Sequence, residues 1–203
     1  MTFLENLKEQ RWDDHRYYHQ SRINQSLHLF SALSFLCAYV SVFFNPILAA
    51  FFGWILAMVS RQSGHFFFEP TGYDTINQAT NEHKEEIKVG YNIRRKIVLL
   101  SVWALSPLAL YLEPSLFGIF EAHNNYYEYL YNLSVSWIAL GAFALVFRTV
   151  HLFFIKDIQS GLVWLTKILT DPFHDVKLYH KSPLFLLNGE LMDPMPHVHN
   201  PHN

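Results

Sequence analysis

The stretch Tyr17-Tyr18-His19-Gln20-Ser21-Arg22-Ile23-Asn24-Gln25-Ser26-Leu27-His28 is answered later in the chain by Gln62-Ser63-Gly64-His65-Phe66-Phe67-Phe68-Glu69. Between the two lies a strongly apolar run, Leu29 to Val59, broken in the middle by Asn45-Pro46. Leu27 to Phe44 is 18 residues long, and at ~1.5 Å per residue it reaches ~27 Å, enough for a hydrocarbon core. Asn45-Pro46 stops one helix and starts the next, because proline suits a first helical turn but disfavours helix in the residue before it. Pro46 to Val59 is short for a span and gains length by continuing in helical register through Arg61, Gln62, His65 and Glu69. Such a hairpin returns both polar ends to one membrane face.

Composition agrees with a membrane setting. Of 203 residues, 51% are hydrophobic and 16% charged, more apolar than a soluble domain needs. A net charge of -2 with scattered bases argues against nucleic acid as a partner. The single cysteine, Cys37, lies in an apolar run, so no intramolecular disulfide and no cysteine metal site is expected. The N-terminal residues mix acids and bases ahead of any long apolar block, unlike a cleavable signal peptide.

Outward from the hairpin, one membrane domain is expected over residues 1–203. Residues 1–25 form an interfacial segment, with an amphipathic helix over 3–20 that offers Phe3, Leu4, Leu7 and Trp12. The hairpin occupies 27–69. A polar connector, 70–95, carries a surface helix over Thr80 to Val89. A second hairpin, 97–155, pairs Ile97 to Leu112, containing Pro107, with Leu133 to Phe147 and its continuation to Ile155. Tyr126, Tyr127, Tyr129 and Tyr131 are expected at headgroup level. Residues 156–203 hold an amphipathic helix from Ile158 to Thr170, a break at Asp171-Pro172-Phe173-His174-Asp175 and a loop-rich tail. The fold class is therefore all-α, a multi-pass membrane protein with four transmembrane helices. None of the 15 Lys and Arg residues falls in the Asn45-Pro46 turn or in the loop from Glu113 to Asn132. By the positive-inside rule both termini and the connector are cytoplasmic, in a bacterial inner membrane or an endoplasmic reticulum membrane.

Asn24 and His28 are four residues apart, as are His65 and Glu69, so each pair lies along one helical face. His19 approaches from the preceding turn. Imidazole suits first-row transition metals, and a carboxylate or amide holding a second ring nitrogen sets the tautomer. Three imidazoles and a carboxylate at the ends of apolar helices cost desolvation energy unless they pair or bind something. A fourth imidazole is sought in His174, beside acids that can orient it, or in His151. His180 is a weaker candidate, His15 and His83 read as solvated, His123 lies at the other face, and the tail histidines His197, His199 and His202 are set aside.

The motifs Tyr18-His19, Asn24, His28 and Gln62, Gly64-His65, Phe68-Glu69 resemble those of the iron-dependent 2-hydroxy fatty acid dioxygenases of the endoplasmic reticulum membrane. The likeness covers about residues 17–69. It implies a multi-pass enzyme that uses Fe2+ and dioxygen to shorten a 2-hydroxy fatty acid by one carbon. Carried over, it makes His19, His28 and His65 iron ligands, with Asn24 and Glu69 orienting ligands or binding substrate. Beyond Glu69 the chain departs from the family, with Pro70-Thr71-Gly72 in place of a Pro-Ala signature and a longer connector.

A lipid substrate would enter laterally between apolar walls. Its carboxylate needs a cation, and among Arg22, Arg61, Arg94 and Arg95 the nearest in sequence to His65 is Arg61; Tyr18 is the second candidate substrate contact. The competing reading is a non-catalytic membrane protein that binds lipid or scaffolds a partner. Di-iron hydroxylases carry His-x-x-His-His boxes, which are absent from this sequence. A transporter is disfavoured by helix centres almost without ionisable residues.

Overall fold

Most helices in this chain start at a side-chain cap. In the computed structural model, which describes residues 1–70, 72–90 and 93–195, α1 (Phe3–Tyr18) starts with a capping box between Thr2 and Glu5. Ser21 caps α2 (Arg22–Ser41), its hydroxyl accepting from the Asn24 N–H. Asn45 Oδ1 accepts from the N–H groups of Ile47 and Leu48, and Pro46 takes the first turn of α3 (Pro46–Phe67). Thr80 caps α4 (Asn81–Ile87), α5 spans Ile93–Leu112, and Asn125 caps α6 (Tyr126–Ile155). Asp157 caps α7 (Ile158–Tyr179), and α8 is Ser182–Leu187. Helix is the regular structure of the described residues, which form isolated bridges but no strands.

Four of these helices are long and apolar enough to cross a membrane: Arg22–Ser41, Pro46–Phe67, Arg94–Leu112 and Tyr126–Ile155. Their outward faces carry bare Phe30, Val40, Leu105, Leu108, Phe143 and Phe147, a surface for which lipid, not water, is the matching solvent. Helix α2 is the hub, packed by α3, α7 and α8, while α6 backs both α3 and α7. Eight residues of α3, Phe51–Met58, wind as π-helix. There Gly53 faces Ala38, and the Trp54 indole donates to the Trp137 carbonyl on α6 (2.8 Å). Trp54 stacks on Trp103 of α5, with centroids 5.6 Å apart.

Several boundaries differ from the sequence reading. Helix α2 begins at Arg22, not Leu27, because Ser21 supplies a cap ahead of the polar residues, so Asn24 and His28 lie on its first two turns. Helix α3 stops at Phe67, and Glu69 follows in the turn. Helix α6 starts at Tyr126, which places the tyrosines on helical turns. The expected break at Asp171–Asp175 is absent: α7 runs through Pro172 to Tyr179, held by ion pairs from Asp171 and Asp175 to neighbouring helices. Lys84, read as part of a solvated face, is 1% exposed, and its ammonium donates to the Pro70 carbonyl (3.0 Å). The segment after α8 docks instead of trailing: the Arg22 N–H donates to the Leu191 carbonyl and the Asp193 N–H to that of Gln20. Thr71, His197, His199 and His202 lie outside the described residues.

Candidate metal centre

His19 closes the last turn of α1, its N–H donating to the His15 carbonyl (3.1 Å). The three-residue corner His19-Gln20-Ser21 turns the chain into α2 and swings the His19 ring over the second turn of that helix. Gln25 fixes the corner from one side, donating to the His19 carbonyl (2.8 Å), and Asp74 accepts from the Gln20 amide (2.7 Å) on the other. The Nε2 atoms of His19 and His28 are 3.2 Å apart. His65, from the polar end of α3, completes the group: one ligand atom from each ring lies within 4.8 Å of the others. His28 is fully buried.

The donor set fits one cation. Nitrogens each ~2.1 Å from an ion are ~3.0 Å apart at an octahedral angle and ~3.4 Å at a tetrahedral one, and the observed 3.2 Å falls between. The Nδ1 atoms of His19 and His28 are buried without a hydrogen-bond partner. They are the atoms that carry the hydrogens when both Nε2 lone pairs face a shared centre. Glu69 Oε2 lies 2.8 Å from His65 Nδ1, and its Oε1 accepts from Lys88 (3.0 Å). This is the carboxylate–imidazole arrangement that orients a ligand. Although α3 has ended, Glu69 still reaches the ring.

Gly64 permits the close approach of α3 to α2. A methyl at Gly64 would lie 2.2 Å from Asn24 Oδ1 and 3.4 Å from His28 Cδ2. Asn24 cannot easily yield, since its amide donates to the Tyr18 carbonyl (2.7 Å). Gly64→Ala is therefore expected to cost about 1–3 kcal/mol through overpacking, read as a lower thermal midpoint in detergent together with weaker metal retention.

Other expected site residues sit elsewhere. His174 is half-buried on α7, in the crevice beside Arg11 and Asp171, and does not join the three-histidine group. His151 stands beside Arg148, its Nδ1 2.8 Å from a guanidinium nitrogen. Arg61 does not present a free cation, because it pairs with Asp175 (3.2 Å) and lies 4.0 Å from Asp171. The Tyr18 hydroxyl donates to the Lys84 carbonyl, so it pins the connector and does not face the histidines. His15, read as solvated, is buried, with Nδ1 3.0 Å from the Tyr179 hydroxyl.

Asp175 and Tyr179 escaped the sequence reading. Asp175 Oδ2 lies 3.8 Å from His28 Nδ1, and the Tyr179 ring packs against those of His19 and His28. The spacing Asp171, Asp175, Tyr179 is a helical stripe that would have revealed them; Pro172 disguised it as a loop. Burial pushes the Asp175 carboxyl up to about 6, against the pull of Arg61. Asp171 is buried too, yet Lys167 and Arg61 outweigh that burial and hold it below the usual carboxylate value.

Burial first, then the charges that His28 and His65 would carry, hold the His19 imidazole well below its ordinary 6.5. The unfolded chain therefore takes up the proton more readily, and the stability that neutral His19 contributes is complete above about pH 6.5 and drains away below it. Protons also compete for the ligand lone pairs. Both metal content and thermal midpoint are expected to fall as pH is lowered from about 7 to about 5. A flat profile over that window would remove His19 from the centre.

No family model, curated protein or solved structure matches this chain.

Proposed function

We propose that the chain is a membrane-embedded iron-dependent dioxygenase that shortens a 2-hydroxy fatty acid by one carbon. The observation that carries this reading is the convergence of His19, His28 and His65 at one end of an apolar hairpin, with Glu69 orienting one ring. Three neutral donors leave coordination positions open, as oxygen chemistry at ferrous iron needs. The motif resemblance to the 2-hydroxy fatty acid dioxygenases supplies the substrate class. The net reaction balances without a reductant. A 2-hydroxy acid and dioxygen give the acid one carbon shorter, carbon dioxide and water; the C1–C2 bond breaks, and dioxygen takes the four electrons.

When bound, Fe2+ supplies the site at which dioxygen and the hydroxy acid meet. The residues of the chain do the rest. Glu69 holds the His65 ring and is itself held by Lys88. Asn24 ties the His19 corner to α2 through the Tyr18 carbonyl. Apolar helices exclude water and admit a lipid from the bilayer plane. The basic residues cluster at the histidine end of the sequence pattern, so the proposed topology puts both termini and the site on the cytoplasmic side.

The test is metal analysis of anaerobically purified protein, followed by incubation with 2-hydroxyhexadecanoic acid under oxygen. One iron per chain and a pentadecanoic product are expected. A chain that carries no metal and forms no product is instead the lipid-binding scaffold.

A further inference from the structure

We propose that the cleft between α3 and α5 holds the proximal part of a long-chain 2-hydroxy carboxylic acid, with Lys96 binding the carboxylate and Gln62 accepting from the 2-hydroxyl. The inference rests on the dioxygenase reading for its substrate class and names the residues that read the head group.

Charge matching around the histidines singles out Lys96. Arg61 is paired with Asp175, Lys88 with Glu69 and Glu85, and Lys167 with Asp14 and Asp171. Half-buried Lys96 makes no hydrogen bond or ion pair with any of the described residues. Trp103 stacks on Trp54 and Leu100 lines a cleft together with Gln62, so Lys96, one helical turn before Leu100, comes near the polar end of α3 that carries His65. A half-buried ammonium without a partner, one helical turn from a cleft, is a site for an anion.

The cleft begins on the same helical face. Lys96, Leu100 and Trp103 are spaced four and three apart on α5, so they form one stripe. Leu100 and Trp103 line a cleft of about 250 Å³ with Met58, Gln62 and Phe66 of α3, and Lys96 stands one turn beyond Leu100. Gln62 is one residue from Ser63 and three from His65, and its Oε1 is buried without a donor. An acceptor waiting beside an unmatched cation is the complement of a hydroxy acid head. Trp103, stacked on Trp54, walls the cleft. Its volume is below the ~300–1,000 Å³ of pockets that enclose a whole ligand. Phe66 and Phe67 lie exposed at its mouth, so the distal chain runs out along the lipid-facing surface.

The experiment measures displacement of cis-parinaric acid by 2-hydroxyhexadecanoic acid and by its methyl ester, in detergent-purified protein with and without iron. Wild type is expected to prefer the acid. Lys96→Gln is expected to weaken acid binding about ten- to a hundredfold with ester binding unchanged, and Lys96→Arg to restore it. A second variant, Ala104→Phe, fills the cleft from its lipid-exposed wall; it is expected to weaken the sixteen-carbon acid while sparing 2-hydroxyhexanoic acid. Acid binding at wild-type strength in Lys96→Gln, equal wild-type affinity for acid and ester, or an Ala104→Phe variant blind to chain length overturns the proposal. Iron content separates the two readings. Lys96-dependent acid binding by a chain that takes up no iron removes the dioxygenase and leaves the cleft, whereas full iron with no dependence on Lys96 removes the cleft alone.

Discussion

His28→Ala is expected to purify with background metal and, under the proposed dioxygenase function, without oxygenase activity, yet to insert into membranes with wild-type helix content. The ring it removes is fully buried and sits in the middle of the group, 3.2 Å from His19 Nε2 and with its centroid 4.9 Å from that of His65. Losing a group that only orients a metal ligand commonly costs about 10–100-fold in affinity, and losing the ligand itself costs more. Metal analysis and circular dichroism on the same preparation separate loss of the site from loss of the fold. His83→Ala, on the exposed face of α4, is the control and should keep its metal. Undiminished iron in His28→Ala would show that the three rings do not share an ion.

Asp193→Ala is expected to destabilise the protein by about 1–3 kcal/mol, the cost of leaving the buried Arg22 and Gln25 donors without their shared acceptor. Asp193 is 2% exposed, and its Oδ2 accepts from Arg22 (2.9 Å) and Gln25 (2.9 Å). Arg22 would keep its contact with Glu190, which is much more exposed. The effect should reach the metal centre, because Gln25 is the residue that grips the His19 carbonyl. A large drop in thermal midpoint together with faster metal loss is the expected pair of readings. A midpoint unchanged from wild type would mean that the segment after α8 contributes nothing to the corner. Burial opposes ionisation of Asp193, but hydrogen bonds from Gln25 and the Met195 N–H and the charge of Arg22 outweigh it and depress its value. Its stabilising contribution is therefore present above about pH 3.8 and lost as pH falls through the lower native value.

What the sequence made legible was the hairpin and the three rings. Apolar length and the Asn45-Pro46 stop are local signals, and spacing four apart declares a shared helical face. The features it concealed depend on partners far along the chain. Pro172 reads as a helix breaker until Asp171 and Asp175 are seen anchored by Arg11 and Arg61. His15 and Lys84 read as solvated until Tyr179 and the Pro70 carbonyl are found against them. Arg61 was the natural cation for a substrate by proximity to His65, and only its pairing with Asp175 removes it from that role. Asp193 lies in a polar stretch after the last helix, where nothing local announces a buried acid.

The π-wound portion of α3, Phe51–Met58, governs how His65 is aimed. Each residue of an α-helix advances the azimuth by about 100°, and a wider winding advances it less, so the bearing of everything downstream depends on how many residues take the wider form. Apart from Gly53 and Trp54, apolar side chains there can be exchanged for one another at small cost, whereas the tally of residues between Asn45 and His65 cannot change without rotating the imidazole away from its two companions. Under mutation this segment is therefore a spacer of fixed length, tolerant in spelling and intolerant of insertion or deletion.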